Sequence, residues 1–476
     1  MNSSIRQFHE QEKIVAGAQT ATGKALVWIS GIALLAWHDV NALMLASFTL
    51  VLLFPERRRS LLMLAAFGLV AGKFLGRQGI DLIVVLVSPE TVESTQWFRF
   101  LMQFSFAMTS ILAIVFAAIR LNVLPSIVRR HPLSILHLLV CSTLVLSSVP
   151  RLGIFALGPM ILWGASYMLK SAASGNAETT SLKDHLFYLV PVFGGTNTPY
   201  GKGPDYLTRF EAIDPESIAR SQLAGIKLLI LAIIWAGALS LMDAVIFGHT
   251  DTILATSLAP WSLQLAHMAD LMQTNTKPAI TACWISIYLE LIRATIILAI
   301  AGHVIIGSLR LLGFNVFRNT YKPLLSESIV EFWNRFYFYF KELLVEFFFY
   351  PTFFRCTWAG PRLRLLLAVL AAAFVGNVYY HLLKVPRLLA DGDLSALWTY
   401  WGPRLIYCFL LALGIWLSML RQQERRKLAV RVSGLSKFRA IAGVWTFYGL
   451  IHIWNITPRK IGFGERWNFL MSLIGL

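Results

Sequence analysis

Long apolar segments separated by short polar connections dominate the chain. Several of them reach the roughly 20 residues that a helix needs to cross the hydrocarbon core of a bilayer. A polytopic all-α membrane protein is the fold class that this pattern predicts, because only helices and closed barrels satisfy every backbone group in lipid. The predicted spans lie at about residues 60–74, 100–119, 133–148, 154–169, 226–242, 284–306, 365–380, 397–419 and 441–454.

Some apolar segments are too short to be assigned by length alone. Residues 25–37 and 41–54 form a pair joined by His38-Asp39-Val40, which predicts either a tight hairpin in a thinned membrane or one kinked helix. Residues 79–87 are too short to cross alone and are interpreted as re-entrant or interfacial. With further uncertainty at 186–192 and 253–272, the expected total is about ten to eleven helices in one domain over residues 1–476.

The longest polar interruption runs from residue 170 to residue 220. It is rich in Gly, Ser, Thr, Pro and charge and contains VPVFGGTNTPYGKGPDYLTRF. Gly-Pro dipeptides and paired glycines break regular structure. Two interpretations stay open, a functional loop with short interfacial helices and a plain solvated connector.

Composition excludes an ordinary soluble protein. The chain is 57% hydrophobic and 14% charged, whereas soluble domains carry about 25% charged residues. Its net charge of +17 is concentrated between the apolar spans, at residues 57–59, 129–130 and 421–427. These clusters predict cytoplasmic loops that follow the positive-inside bias and touch anionic lipid. No nucleic-acid partner is expected, because no basic-aromatic binding module accompanies the charge.

One aromatic stretch, EFWNRFYFYFKELLVEFFFYP at residues 331–351, carries several ionisable groups. Each such group costs about 2.5–3.5 kcal/mol at the centre of a membrane helix, so it normally faces a bundle interior or a wet cavity. The stretch therefore predicts a functional helix, in which Glu342 and Glu346 orient Arg335 or Lys341. Similarly, Glu290 and Arg293 are spaced to share a helix face and to pair.

Histidine is the residue type with the most relevant chemistry. His381 ends the apolar run LLLAVLAAAFVGNVYYHLL, and Asn377 lies four residues earlier on the same helical face. A neutral imidazole at membrane depth suits a general base, although packing explains many membrane histidines. The chain has no nucleophile elbow, P-loop, HExxH site or dinucleotide fingerprint, and its four cysteines follow no zinc or disulfide pattern. No bound metal is expected.

A specific motif follows the span at 284–306. It consists of three blocks within residues 307–351: Arg310-Leu311-Leu312-Gly313-Phe314, then Asn319-Thr320-Tyr321-Lys322-Pro323, then Ser328-Ile329-Val330-Glu331-Phe332-Trp333-Asn334-Arg335. In content and order these blocks resemble the membrane-bound O-acyltransferase superfamily. The likeness is greatest to its bacterial branch, which includes alginate O-acetylases and the D-alanyl transfer protein of teichoic acids. The signature region extends to residue 381, where His381 matches the near-invariant histidine of that superfamily.

The resemblance implies a ring of tilted helices around a central funnel and assigns roles to several residues. His381 and Tyr337 are the implied catalytic residues, and the implied substrate-binding residues are Trp333, Asn334, Arg335, Glu346 and Asn377. Tyr337 departs from the pattern, since the superfamily usually has His or Asn there. That tyrosine either donates a hydrogen bond in the reaction or merely packs.

The function implied by the resemblance is acyl transfer, most simply of acetyl, to a hydroxyl of a cell-envelope or exported polysaccharide. The donor would be an acyl thioester, acetyl-CoA or an acyl carrier protein, with no bound cofactor. The expected location is the bacterial cytoplasmic membrane, in contact with lipids and with a possible partner protein outside the membrane. Two alternatives remain, a translocation subunit that makes no bond and a catalytically reduced scaffold.

Overall fold

The structure is a computed structural model that describes ten parts of the chain. These are residues 8–64 without 39 and 41, the single residues 113 and 117, 123–146, 162–173 without 171, 204–249, 256–274 without 258, 276–383, 393–428, 434–456 and 461–476. About 82% of this part is helical and it contains no strand. The predicted all-α class is confirmed.

Helices occupy the apolar runs and extend beyond them into the flanking polar residues. Three turns within them are π-helical, Asp243–Phe247, Val345–Phe349 and Leu370–Gly376. The α-helices whose two ends both lie in the described part, numbered along the chain, are α1 Glu12–Gln19, α2 Ala21–Trp37, α3 Ala42–Leu53, α4 Ser126–Arg130, α5 Pro132–Leu146, α6 Pro204–Arg209, α7 Pro215–Met242, α8 Met268–Gln273, α9 Ile280–Leu311, α10 Ile329–Phe336, α11 Phe338–Leu344, α12 Tyr350–Arg355, α13 Pro361–Val369, α14 Asn377–Leu383, α15 Leu394–Leu428, α16 Gly434–His452 and α17 Phe463–Ser472.

Four of the described helical segments are long and apolar enough to cross a membrane. They are Pro215–Phe247, Ile280–Leu311, Pro361–Leu382 and Leu394–Glu424, and α1 with α2 would make a fifth if that pair, bent by 94°, is one broken span. Each of the four contains one of the predicted spans. The predicted segments at 79–87 and 186–192, and most of that at 100–119, lie outside the described residues. The total of ten to eleven helices, the funnel and the single domain therefore stay predictions.

Among the described residues the chain divides into two compact units. The first contains the residues up to Ile230 together with Val304–Phe317, and the second contains the rest. In the first unit α1 packs on the start of α7 through a small apolar core, made by Val15, Ala18, Val27, Ala219 and Leu223. Most of the polar region at 170–220 lies outside the described residues; its described end belongs to this unit and forms α6 and the first turn of α7.

A buried ion cluster ties the first unit together. Glu211 accepts from Arg58 at 2.7 Å and also pairs with Arg59, and its side chain is only 11% exposed. Arg58 donates further bonds to the carbonyls of Ala212 and Leu312. The prediction that this basic cluster touches lipid is wrong for Arg58, since its guanidinium is enclosed by carbonyls and a carboxylate. A buried charge persists only when it is paired and hydrogen-bonded in this way.

Replacing Glu211 with Gln is expected to destabilise the first unit by about 3–5 kcal/mol, because two guanidinium groups lose their buried counter-charge. The control is Glu216→Gln, which breaks the exposed Arg220–Glu216 pair and should cost about 0–1 kcal/mol. Thermal unfolding of the detergent-solubilised variants measures both. Equal midpoints for the two variants would show that the cluster contributes nothing.

Helices α7 and α9 approach closely in the first unit where two glycines meet. A Cβ on Gly225 would lie 2.7 Å from the Gly307 carbonyl oxygen and 2.8 Å from the Leu311 nitrogen. Since both atoms are backbone, no side-chain rotation relieves the clash. Small residues of this kind let helix backbones approach in membrane proteins.

Gly225→Ala is therefore expected to destabilise the protein by about 1–3 kcal/mol through overpacking. Gly237 provides the matched control, because it lies on the same helix and a Cβ there meets nothing within 4 Å. Gly237→Ala should leave the unfolding midpoint unchanged or raise it slightly. If both variants unfold at the same temperature as the parent, the close approach of α7 and α9 does not exist.

The second unit has its own apolar core, centred on residues from α8, α9 and α17 such as Met268, Ile287 and Phe469. Arg466 is buried in it and donates to the carbonyls of Ile453, Ile456 and Ile461. Because burial disfavours its charged form, the pKa of Arg466 falls to about 10. The guanidinium thus still carries its charge at neutral pH and joins three loop carbonyls beyond the end of α16.

Candidate functional site

The aromatic stretch at 331–351 is not one helix. Helix α10 ends at Phe336, Tyr337 adopts a non-helical backbone (φ −141°, ψ 65°), and α11 starts at Phe338. A π-helical turn, Val345–Phe349, then leads into α12. The prediction of a single functional helix is therefore wrong, and the break falls on the residue that departs from the superfamily pattern.

The segment around Asn319 stabilises this break. The Asn319 carbonyl accepts from the Phe338 nitrogen at 3.0 Å, and its Oδ1 accepts from the Tyr339 nitrogen at 3.2 Å. Thr320 Oγ1 donates to the Phe336 carbonyl at 3.0 Å. A helix end leaves such backbone groups without intrahelical partners. Asn319, only 2% exposed, and Thr320 therefore bind the groups that the break at Tyr337 releases.

At its other end α10 is capped by its own sequence. Ser328 Oγ accepts from the Glu331 nitrogen at 3.1 Å, and the Glu331 carboxylate accepts from the Glu327 nitrogen at 2.7 Å. This is close to a capping box, in which the cap and a glutamate three residues later satisfy the first helix donors. Glu331 also pairs with Arg335 at 2.6 Å.

The charged partners differ in part from those predicted. Arg335 pairs with Glu331, rather than with Glu342 or Glu346, while Lys341 pairs with Glu342 as expected. Both members of the Arg335–Glu331 pair are about one-third exposed. The partner of Arg335 is therefore a glutamate on its own helix, four residues before it, and not one of the two glutamates that follow it.

Ring contacts connect the break to the helix that carries His381. Phe340 lies between the two: its ring centroid is 5.6 Å from that of Tyr337 and 4.4 Å from that of Tyr380. Trp333 also contacts Phe340, at 6.3 Å, and the Tyr380 ring is 5.8 Å from the His381 ring. The Phe340–Tyr380 contact thus packs the aromatic stretch against the helix that carries His381.

Helix α14 presents Asn377 and His381 one turn apart. Asn377 is 1% exposed, and its Oδ1 is buried with no hydrogen-bond partner among the described residues. His381 is half-buried at the next turn. Buried polar atoms nearly always have a partner, so the Asn377 oxygen is a position where a ligand or water would bind.

The remaining predicted site residues are placed differently. Asn334 is exposed on α10, and Glu346 is partly buried within the π-helical turn. The site residues that sequence reasoning missed are Asn319, Phe340 and Tyr380. Asn319 had a signal, because it begins the second block of the motif, but nothing in the sequence pointed to its contact with residues twenty positions later.

An open cavity of about 580 Å³ lies at the start of α13, lined by Phe349, Phe353, Arg362 and Arg364 among others. At 1.5 Å per residue, Arg362 and His381 lie roughly 28 Å apart along the helical segment. None of the predicted site residues lines this cavity. It is therefore distinct from the Tyr337–His381 site.

Comparison with known proteins adds no relative, since no family model matches the chain and no curated protein matches it. Among the described residues no group of three or more His, Cys, Asp or Glu side chains is arranged to hold a metal ion. The chemistry of the site therefore has to be argued from its side chains.

Asn319→Ala is expected to destabilise the second unit by about 1–3 kcal/mol, since the buried Tyr339 nitrogen loses its acceptor. Asn315→Ala is the control, because Asn315 is exposed and only four residues away. Thermal unfolding in detergent compares the two variants. An Asn319 variant as stable as the Asn315 variant would exclude the proposed role of Asn319 at the break.

Proposed function

We propose that the chain is a membrane-embedded O-acyltransferase that transfers an acyl group, most simply acetyl, from a thioester to a hydroxyl of a cell-envelope or exported polysaccharide. The observation that carries the proposal is the contact between Phe340 and Tyr380, whose ring centroids are 4.4 Å apart. Phe340 belongs to the motif at 307–351 and Tyr380 directly precedes His381, so this contact supports a link between the two features that the sequence resemblance identified separately.

In the proposed reaction the acceptor hydroxyl oxygen attacks the thioester carbonyl carbon while the His381 imidazole takes the hydroxyl proton. The tetrahedral intermediate then collapses with cleavage of the carbon–sulfur bond. The imidazolium returns its proton to the departing thiolate, so the products are an ester and a free thiol. A positioned histidine suits both transfers, because its pKa lies near the working pH.

The neighbouring residues take positioning roles in this scheme. The Asn377 Oδ1, buried and without a partner among the described residues, would accept a hydrogen bond from a neighbouring, non-reacting hydroxyl of the glycan. The Tyr337 hydroxyl would donate to the developing oxyanion, where preorganised donors contribute most. Trp333, Asn334, Arg335 and Glu346 would shape the donor side of the site.

The proposed location is the bacterial cytoplasmic membrane, with several helices crossing it. The donor, acetyl-CoA or an acyl carrier protein, would enter from the cytoplasm. The glycan acceptor would enter from the opposite side of the membrane. A partner protein outside the membrane would complete delivery to the final acceptor. The four membrane-length helices among the described residues support a membrane location.

His381→Ala is expected to lower kcat for acyl transfer by at least about 100-fold, the lower end of what general acid–base catalysis contributes. The assay follows radiolabelled acetyl from acetyl-CoA into glycan by purified, reconstituted protein. His131→Ala is the control, because His131 is exposed beyond the end of α4. Size-exclusion profiles establish that both variants remain folded.

The same assay separates the alternatives. Full activity of the His381 variant would overturn the assignment of the base. A parent protein that moves labelled glycan across a vesicle membrane without forming an ester is a translocation subunit. A parent protein that does neither is a scaffold, as the tyrosine at position 337 would allow.

A further inference from the structure

A pair of histidines lies in the second unit, at the end of the span Pro215–Phe247. That span finishes in a π-helical turn, Asp243–Phe247, and His249 follows two residues beyond it. A non-helical segment returns along the turn, with the Leu263 and Leu265 nitrogens donating to the carbonyls of Val245 and Ile246. This pairing brings His267 beside His249. Single π-helical turns occur frequently at functional sites.

Three contacts fix the orientation of the His267 ring. Its Nδ1 is 2.7 Å from Oε1 of Glu290, and its face stacks on Phe247 with ring centroids 3.8 Å apart. Its Nε2 is 3.3 Å from Nε2 of His249. With Nδ1 donating to the carboxylate, the Nε2 atom of His267 has its lone pair directed towards His249.

The separation of the two Nε2 atoms matches the geometry of a metal site. Zinc binds imidazole nitrogen at about 2.0–2.1 Å, so two nitrogens on one tetrahedral ion lie about 3.3–3.4 Å apart. In addition, a histidine that binds a metal almost always donates its other ring N–H to a carboxylate or carbonyl, which fixes the ring and raises its basicity. Glu290 is the carboxylate that accepts a hydrogen bond from Nδ1 of His267.

Local charge and access also favour a cation. The Asp243 carboxylate pairs with Arg293, which donates to it at 2.9 Å and also acts electrostatically on Glu290. Glu290 is the carboxylate in direct contact with His267. The sequence prediction that Glu290 pairs with Arg293 is wrong for this reason, since each has another partner. Glu290 is 7% exposed, whereas His249 is exposed. An ion would therefore enter from the side of His249.

We propose that His249 and His267 bind one divalent transition-metal ion of the zinc class through their Nε2 atoms, with Glu290 as the carboxylate that positions His267. Imidazole ligands suit Zn²⁺, Ni²⁺ and Cu²⁺. Because the protein supplies two ligands, water fills the other positions and the ion exchanges readily. The site does not rest on the acyl-transfer proposal and uses none of its residues.

The test is Co²⁺ and Zn²⁺ binding by the full chain, purified without a histidine tag, stripped with chelator and held in detergent. Calorimetry with either ion should give one site per chain, and Co²⁺ should show the visible bands of a low-symmetry complex. His249→Ala should weaken binding at least about 100-fold. Glu290→Gln, which keeps both ligands, should weaken it about 10- to 100-fold, as loss of a carboxylate partner typically does.

His131→Ala is the control and should bind as the parent does. His249 is exposed, so its variant keeps the fold and a loss of binding there reports the ligand. No saturable binding by the parent would overturn the proposal and leave the two imidazoles as a hydrogen-bonded pair. If the His249 and Glu290 variants bind the ion as the parent does, the ion lies elsewhere and the proposal is overturned. An intense thiolate charge-transfer band with Co²⁺ would overturn it in the same way, because it would show cysteine ligands.

Discussion

The hydrogen bonds from Asn319 to the break at Tyr337 are the interaction on which the candidate site depends. The break requires that the first backbone donors of α11 and the last carbonyls of α10 be satisfied away from water. Asn319 accepts from two of those donors, and Thr320 donates to the Phe336 carbonyl. Just beyond the break, Phe340 contacts both Tyr337 and Tyr380.

A wider constraint explains the other buried charges. In a chain with so little polar surface, each charged side chain inside the structure needs a partner, because an isolated buried charge is prohibitively costly. Glu211 binds two arginines, Asp243 binds Arg293, and Arg466 binds three carbonyls. The partners of Glu211 and Asp243 come from distant parts of the chain, whereas those of Arg466 lie 5 to 13 residues before it. These clusters therefore fix tertiary structure as well as neutralising charge.

The membrane-length helices could be predicted from the sequence, because their signal is local: a run of apolar residues long enough to cross a bilayer. The helix ends and the charge partners could not. Glu290 and Arg293 have the spacing of an intrahelical pair, yet His267 and Asp243 compete successfully for them. The spacing of two residues along a helix shows only that their side chains are able to pair. Whether they do pair depends on which side chains from distant segments pack beside them.

The π-helical turns explain why the sequence predicts the helix face that some side chains occupy but not the face of others. Each such turn adds a residue and so shifts the side chains beyond it around the helix axis. Asn377 and His381 share a face because both lie in α14, after the turn Leu370–Gly376 has ended. Glu346 lies inside the turn Val345–Phe349, so the period of a regular helix does not give its direction. The turn Asp243–Phe247 likewise precedes His249. All three turns adjoin residues of the two proposed sites, so the positions of the reactive side chains depend on the irregular backbone as well as on the regular helices.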